Sequence, residues 1–404
     1  MSDIQTENKT KVTNEGSILS VLKKSMKTNL RQYTMFIALI AISLIFTFLT
    51  DGTFLTSRNL SNLLLQTATT AILACGMVLI IIAGHIDLSV GSVAGFTGAI
   101  AALLQVKYGW ETAPTIVVTI LVGIAVGVWQ GFWVSYQGVP AFIVTLGGMM
   151  IFRGGVMAVT KGQTIAPTKP AFKAIGQGYL PKISDNLNDT TIALGILIIV
   201  AYLFLEIRKR KIRVTKYNFK VLPLPLEIAK LTAVSAMIAL LFLIMISYRG
   251  IPYSIVLVLG LVLLFSFITT KTTLGRYVYA IGGNKEASKL SGINIQKVTM
   301  LIFVIMGFLS AVAGIVFTGR LDSATASAGN LFELDAIAAC YIGGASAMGG
   351  EGSVMGAMIG ALVMATLNNG MSLMNVDLTY QYIIKGLILL IAVRVDIATR
   401  KKAA

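Results

Sequence analysis

Apolar runs follow one another along this chain at approximately 34–50, 60–83, 88–104, 115–134, 141–160, 190–207, 228–247, 252–270, 298–319, 333–348, 353–371 and 381–397. Runs of this kind match the ~30 Å hydrocarbon core of a bilayer when coiled as helices. In lipid each backbone polar group must be bonded within its own segment or a closed barrel, which leaves a continuous apolar run only the helix. The pattern predicts an all-α, polytopic membrane helix bundle of about 12 segments. Composition excludes a soluble domain: charged residues are 12% of 404 positions and hydrophobic ones 56%, where soluble chains carry about 25% charge. The segments 88–104 and 333–348 are short and rich in Gly and Ala. They read as partial or broken helices, which are tolerated only where protein buries them.

Twelve crossings place both termini on one side. Seven Lys and Arg and no acid occupy 208–220, a block bounded by apolar runs, and Lys23, Lys24, Lys27 and Arg31 precede the first run. Basic residues concentrate in cytoplasmic loops, so both termini are expected inside. The reading divides the chain into a cytoplasmic segment 1–33, a transmembrane domain 34–397 and a cytoplasmic tail 398–404. Within the domain, 161–189 is an external loop with Pro167, Pro170 and Pro181, and 208–223 is a basic cytoplasmic loop. No small-residue cleavage pattern follows the first run, which reads as a retained signal-anchor. The net charge of +16 is thus a topology signal that also suits anionic lipid, and nucleic acid is not an expected partner. Trp129, Trp133 and Tyr136 fit an interfacial aromatic belt at the inner end of the fourth segment.

Charges inside a membrane are costly and point to function. Asp87, Arg153, Glu351 and Lys385 all fall in or beside apolar runs. Asp87 and Arg153 are candidates to line a pathway. Asn368 and Asn369 suit either polar lining or interhelical hydrogen bonding. Lys385 is placed to snorkel or to bind a backbone carbonyl, and Glu333 and Asp335 read as first-turn residues that complement a helix dipole. Glycines gather at 76–98 and 343–360, where close helix packing is expected. Gly91-Ser-Val-Ala-Gly95 is echoed by Gly352-Ser-Val-Met-Gly356, which fits either an internal repeat or ordinary small-residue packing.

No metal-ligand set and no nucleophile–base arrangement is visible, so the chain does not read as an enzyme. Cys75 and Cys340 lie in apolar runs, and His85 is the single histidine. No Gly-Lys dipeptide exists to build a phosphate-cradling loop, and acids and histidine are too few for a proton relay. Uphill transport would need a second polypeptide as motor, and that motor would need a handle.

The polar stretch GRYVYAIGGNKEASKLSGINIQK (275–297) offers one. Asn284 is a good N-cap and Glu286 falls in the first turn. Gly292 stands where a left-handed residue would end the helix, with Ile293 able to pack back. The result is a helix of about two turns carrying Ala287, Ser288 and Ser291 on a small-residue face, with Lys285 at its start and Leu290 beside Ala287. A helix so short is unstable alone, so it docks either on its own membrane domain or on a partner.

The sequence resembles the permease subunits of bacterial ABC monosaccharide importers, the group of xylose, ribose and multiple-sugar permeases. The matching stretches are AGHIDLSVGS (83–92), VPAFIVTLGGMMIFRG (139–154), LGRYVYAIGGNKEASKLSGIN (274–294), AGNLFELDAIAACYIGGASAMGGEGSVMGAMIGAL (328–362), NNGMSLM (368–374) and YIIKGLILLIAV (382–393). The resemblance implies a ten-span core with an extra hairpin around 190–250. It also identifies 284–292 as a docking loop of the pattern Glu-Ala-Ala-x-x-x-Gly, here Glu286-Ala287-Ser288 with Gly292 at the expected spacing. An Ile-x-Leu-Pro tail found in some importer permeases is missing.

What the resemblance implies further is a homodimeric or pseudodimeric pathway in the bacterial inner membrane. Two ATPase subunits would carry ATP and Mg, this chain would hold no cofactor, and a periplasmic sugar-binding protein would deliver the cargo. Specificity residing in that protein would leave only weak sugar binding here. The competing class is a stand-alone secondary sugar transporter or facilitator, which would work from a gradient without partners.

Overall fold

The computed structural model describes residues 30–183, 188–215 and 224–401. The expected N-terminal segment lies outside the described residues up to 29, as do 216–223 of the basic loop and 402–404 of the tail. Among the described residues there are fifteen α-helices and two isolated β-bridges. They are α1 (Leu30–Leu49), α2 (Ser57–Ile82), α3 (Val90–Val106), α4 (Thr112–Ser135), α5 (Ala141–Thr160) and α6 (Pro170–Gln177). The second half comprises α7 (Asp189–Thr215), α8 (Leu224–Ile246), α9 (Tyr253–Lys271), α10 (Thr273–Gly283), α11 (Lys285–Leu290), α12 (Ile295–Leu321), α13 (Phe332–Ile342), α14 (Val354–Leu373) and α15 (Leu378–Lys401). Eight of them, α2, α4, α5, α7, α8, α9, α12 and α14, are long and apolar enough to cross a membrane. Each apolar run foreseen in the sequence contains one helix.

α2 is the axis of the bundle. From Ala71 to Ile82 it is apolar on every side, and a helical stretch of that kind is stable only where other helices surround it. Of its most apolar stretch 89% is buried, against 11% for α7 and 6% for α8. α12, α14, α13 and α9 pack around it, while α4, α3 and α5 extend the bundle from α12. The α7–α8 hairpin packs mainly on itself and reaches the core through α2. Its outward faces present Ile196, Leu197, Phe204, Leu240 and Leu243, as lipid contact requires.

Two sets of loops gather at opposite ends. At one, Gly350 donates to the Ile82 carbonyl (2.8 Å), the Tyr279 hydroxyl to Gly352 O (2.7 Å) and Thr145 Oγ1 to Ile86 O (3.3 Å). This end carries α11. At the far end the loop after α5 is stitched down: Ile165 bridges Ala324, Tyr179 bridges Pro252, and Thr168 and Lys173 bond Asp322. Desolvation opposes it, yet the bonds from Lys173 and Thr168 together lower Asp322 from the ordinary carboxylate range.

The segment expected at 333–348 is a half-length helix. α13 has 11 residues, about 16 Å of rise against a ~30 Å core. It stops at Gly343, and 343–353 continues as irregular chain to the α11 end. α13 lies beside α14, with the Gly343 and Gly356 backbones in contact. The two echoed Gly-Ser-Val stretches both lie near helix starts but not at the same position, Gly91–Gly95 within the first turns of α3 and Gly352–Gly356 across the N-cap Ser353 of α14. The basic region is also more ordered than a loop: 208–215 continues α7 as helix. There Glu206 meets Lys209 and Lys230, and Arg210 meets Glu227 (3.3 Å), tying the hairpin's two arms.

Candidate functional site

The short helix α11 forms as its end signals dictate. Asn284 Oδ1 accepts from the Ala287 N–H (2.9 Å), and Glu286 and Lys289 sit at the dipole-matched ends. At the other end Gly292 adopts φ +81°, a conformation that costs glycine little. Ile293 N then donates back to Ser288 O (3.1 Å), closing a Schellman-type cap. The helix points outward. Ser288 is buried, whereas Lys285, Glu286, Ala287 and Ser291 are exposed and Leu290 is 89% exposed.

Beneath α11 lies the amphipathic α10, which the sequence reading missed. Thr272 caps it, and Val278 and Ile281 are buried against the bundle. The apolar spacing Leu274–Val278–Ile281 was the available signal. At its end Gly282 presses on the Ile82 carbonyl and the Gly350 N–H, an approach that a Cβ would block. Two adjoining clefts of about 560 and 370 Å³ flank α11, sharing His85, Val134, Gly138 and Lys285. Burial, with the Lys285 charge adding to it, pushes His85 down to about 4.

The intramembrane polar residues divide into fastened and open ones. Asp87 is 1% exposed, and its Oδ1 accepts from Ser89 N (2.8 Å) and Ser89 Oγ (2.6 Å). Gln130 Nε2 donates to the same Ser89 Oγ (2.7 Å). Asp87 therefore staples the loop between α2 and α3. Asn369 forms a reciprocal amide pair with Asn59 of α2 (2.9 and 3.1 Å), so of its two readings interhelical bonding is the one observed.

Asn368 donates to Asp335 Oδ2 (3.0 Å), and Lys385 reaches the same oxygen (3.1 Å). Lys385 thus turns inward to a carboxylate and neither snorkels nor binds a carbonyl. Asp335 and Glu333, read as simple first-turn residues, are both 4% exposed. Glu333 Oε2 has no hydrogen-bond partner among the described residues and lies within electrostatic reach of Arg153 and Asp87. Arg153 is half-buried on α5 and remains the open member of the candidate set. Cys75 and Cys340 are buried free thiols on facing helices.

The described residues form a helical bundle with eight helices long and apolar enough to cross a membrane, polar side chains buried inside it and an outward-pointing helix at one end, the build of a multi-pass membrane protein. The family comparison agrees: residues 59–393 match the family described as branched-chain amino acid transport system / permease component, and the chain belongs to it. It is 46% identical over 382 residues to the xylose transport system permease protein of Escherichia coli K12, covering 93% of this chain and 94% of that one. The xylose transport system permease protein of Haemophilus influenzae is 43% identical, with 94% and 99% covered. The ribose import permease protein of Bacillus subtilis is 35% identical, with 92% of each covered. No solved structure matches.

Proposed function

We propose that this chain is the permease subunit of an ATP-driven importer of a small neutral sugar, xylose or a related pentose or aldohexose. The relatives' names supply the substrate class. The observation that carries the motor arrangement is α11, a capped helix with an exposed leucine standing over a cleft at one end of the bundle. In this reading α11 faces the cytoplasm and seats in a groove of a partner ATPase, which binds ATP and Mg. A second copy of the chain completes the pathway in the inner membrane, and a periplasmic sugar-binding protein docks at the far end.

Closure of the ATPase pair would move α11, and the rigid link through α10 to α9 and through Asn294 to α12 would pass that movement to the spans. Coupling of this kind needs differential contacts of α11 in the two ATPase states, and its exposed face offers them. Sugar then passes polar groups such as Arg153 without being held tightly. The test is proteoliposomes containing the chain, its ATPase and its binding protein. ATP-dependent uptake of labelled xylose supports the proposal, and gradient-driven uptake by the chain alone would replace it with a secondary transporter.

A further inference from the structure

The basic end of the α7–α8 hairpin has no part in the importer reading. α7 is 27 residues long, about 40 Å of helix, which exceeds a ~30 Å hydrocarbon core. With Asp189 at one edge of that core, Arg208 and Lys211 lie about 28 and 33 Å further along the axis, at the depth where lipid phosphates border the other edge. Leu197, Val200, Phe204, Arg208 and Lys211 follow at spacings of three and four, so they share one face of the helix. The three apolar members are each more than half exposed, and both basic ones are exposed. One stripe therefore runs from greasy to cationic without interruption.

The two acids at this end are already engaged. Glu206 pairs with Lys209 (2.9 Å) and Lys230 (2.7 Å), and Glu227 pairs with Arg210 (3.3 Å). Neither Arg208 nor Lys211 makes an ion pair among the described residues. We infer that this face of α7 binds an anionic phospholipid, with its acyl chains along Leu197, Val200 and Phe204 and its phosphate at Arg208 and Lys211. A guanidinium meets phosphate oxygens with two parallel N–H bonds, and an ammonium beside it adds a point charge. A zwitterionic headgroup brings its own cation and gains less from the pair. A second copy of the chain seated here by a two-fold contact would set Arg208 and Lys211 beside their own images, like charge against like. A free phosphate would use the cations and leave the apolar stripe uncovered.

Photocrosslinking tests the inference at the site itself. The full chain, with p-benzoylphenylalanine in place of Phe204, is reconstituted in vesicles of equal phosphatidylglycerol and phosphatidylcholine. Light joins that position to whatever lies against it, and mass spectrometry identifies the adduct. Expected is a several-fold excess of phosphatidylglycerol adducts, falling to parity in Arg208→Gln/Lys211→Gln. Lys161→Gln/Lys182→Gln removes the same charge at the far end and should keep the excess. Both double variants should retain the wild-type melting temperature, since all four side chains are exposed. Equal adducts of the two lipids in the wild type, an excess retained in Arg208→Gln/Lys211→Gln, or adducts to a second copy in place of lipid overturn the inference. Loss of the excess on adding inorganic phosphate at constant ionic strength overturns it as well, by assigning the cations to a free anion. The readout needs no ATP, sugar or ATPase, so it stands or falls apart from the importer reading.

Discussion

Lys385 Nζ on α15 lies 3.1 Å from Asp335 Oδ2 on α13, with their side chains 14% and 6% exposed. The pair fastens the first turn of a half-length helix, α13, to the last span, and Asn368 on α14 bonds the same oxygen. Three helices therefore meet at one carboxylate group. α13 is too short to be positioned by spanning the bilayer, so this polar fastening fixes it.

Removing one partner leaves the other charge buried and unpaired, a loss of roughly 3–5 kcal/mol. Lys385→Met should accordingly lower the detergent melting temperature sharply. The double variant Lys385→Met with Asp335→Leu should recover most of the loss. Equal destabilisation by the single and double variants would show that the pair is not the source.

The Asn59–Asn369 amide pair makes a milder version of the same test. Asn59→Leu or Asn369→Leu alone strands a buried amide at about 1–3 kcal/mol, whereas replacing both should cost clearly less than the sum, the remainder being the Phe54 carbonyl that Asn59 also bonds (2.9 Å). Thermal melts of the four proteins complete the cycle. Additive losses would mean that the two amides act separately.

At α11, Glu286→Arg and Gly292→Val should abolish sugar-stimulated ATP hydrolysis in the assembled transporter while leaving melting of the membrane domain intact. Gly292→Val acts through φ +81°, which a β-branched residue resists. Asn284→Ala should cost about 1 kcal/mol of local helix stability and reduce coupling without eliminating it. Normal import rates in all three would exclude α11 as the coupling element.

His85 supplies a pH prediction. Its folded value is pushed down to about 4 from an ordinary 6.5. Between those values the unfolded chain binds a proton that the folded one does not, so stability rises with pH across the window. Stability should be flat from pH 8 to 6.5 and fall below that, by at most about 3 kcal/mol near pH 4. His85→Gln should flatten this part of the profile, and a profile unchanged by the substitution would refute the assignment.

What the sequence disclosed was local. Asn284, Glu286 and Gly292 are close in the chain and carry their own geometry, so α11 was legible down to its caps. The apolar helices were legible because a bilayer imposes one polarity on a crossing, and eight of the twelve expected runs give helices long and apolar enough to cross. The glycine-rich stretch at 343–352 betrayed the break after α13. The partner of Asp335 was hidden, since Lys385 is fifty positions away and only packing of α13 on α15 brings them together. Likewise nothing near Asn369 announces Asn59.

The α7–α8 hairpin touches the rest of the molecule along one narrow flank, so its outer side chains meet nothing else among the described residues. Exchange of one greasy residue for another should pass unnoticed there, while the same change on α2 would disturb four neighbours. A fluorophore or affinity handle grafted on the outward side of α7 would therefore report on the working molecule without entering its interior.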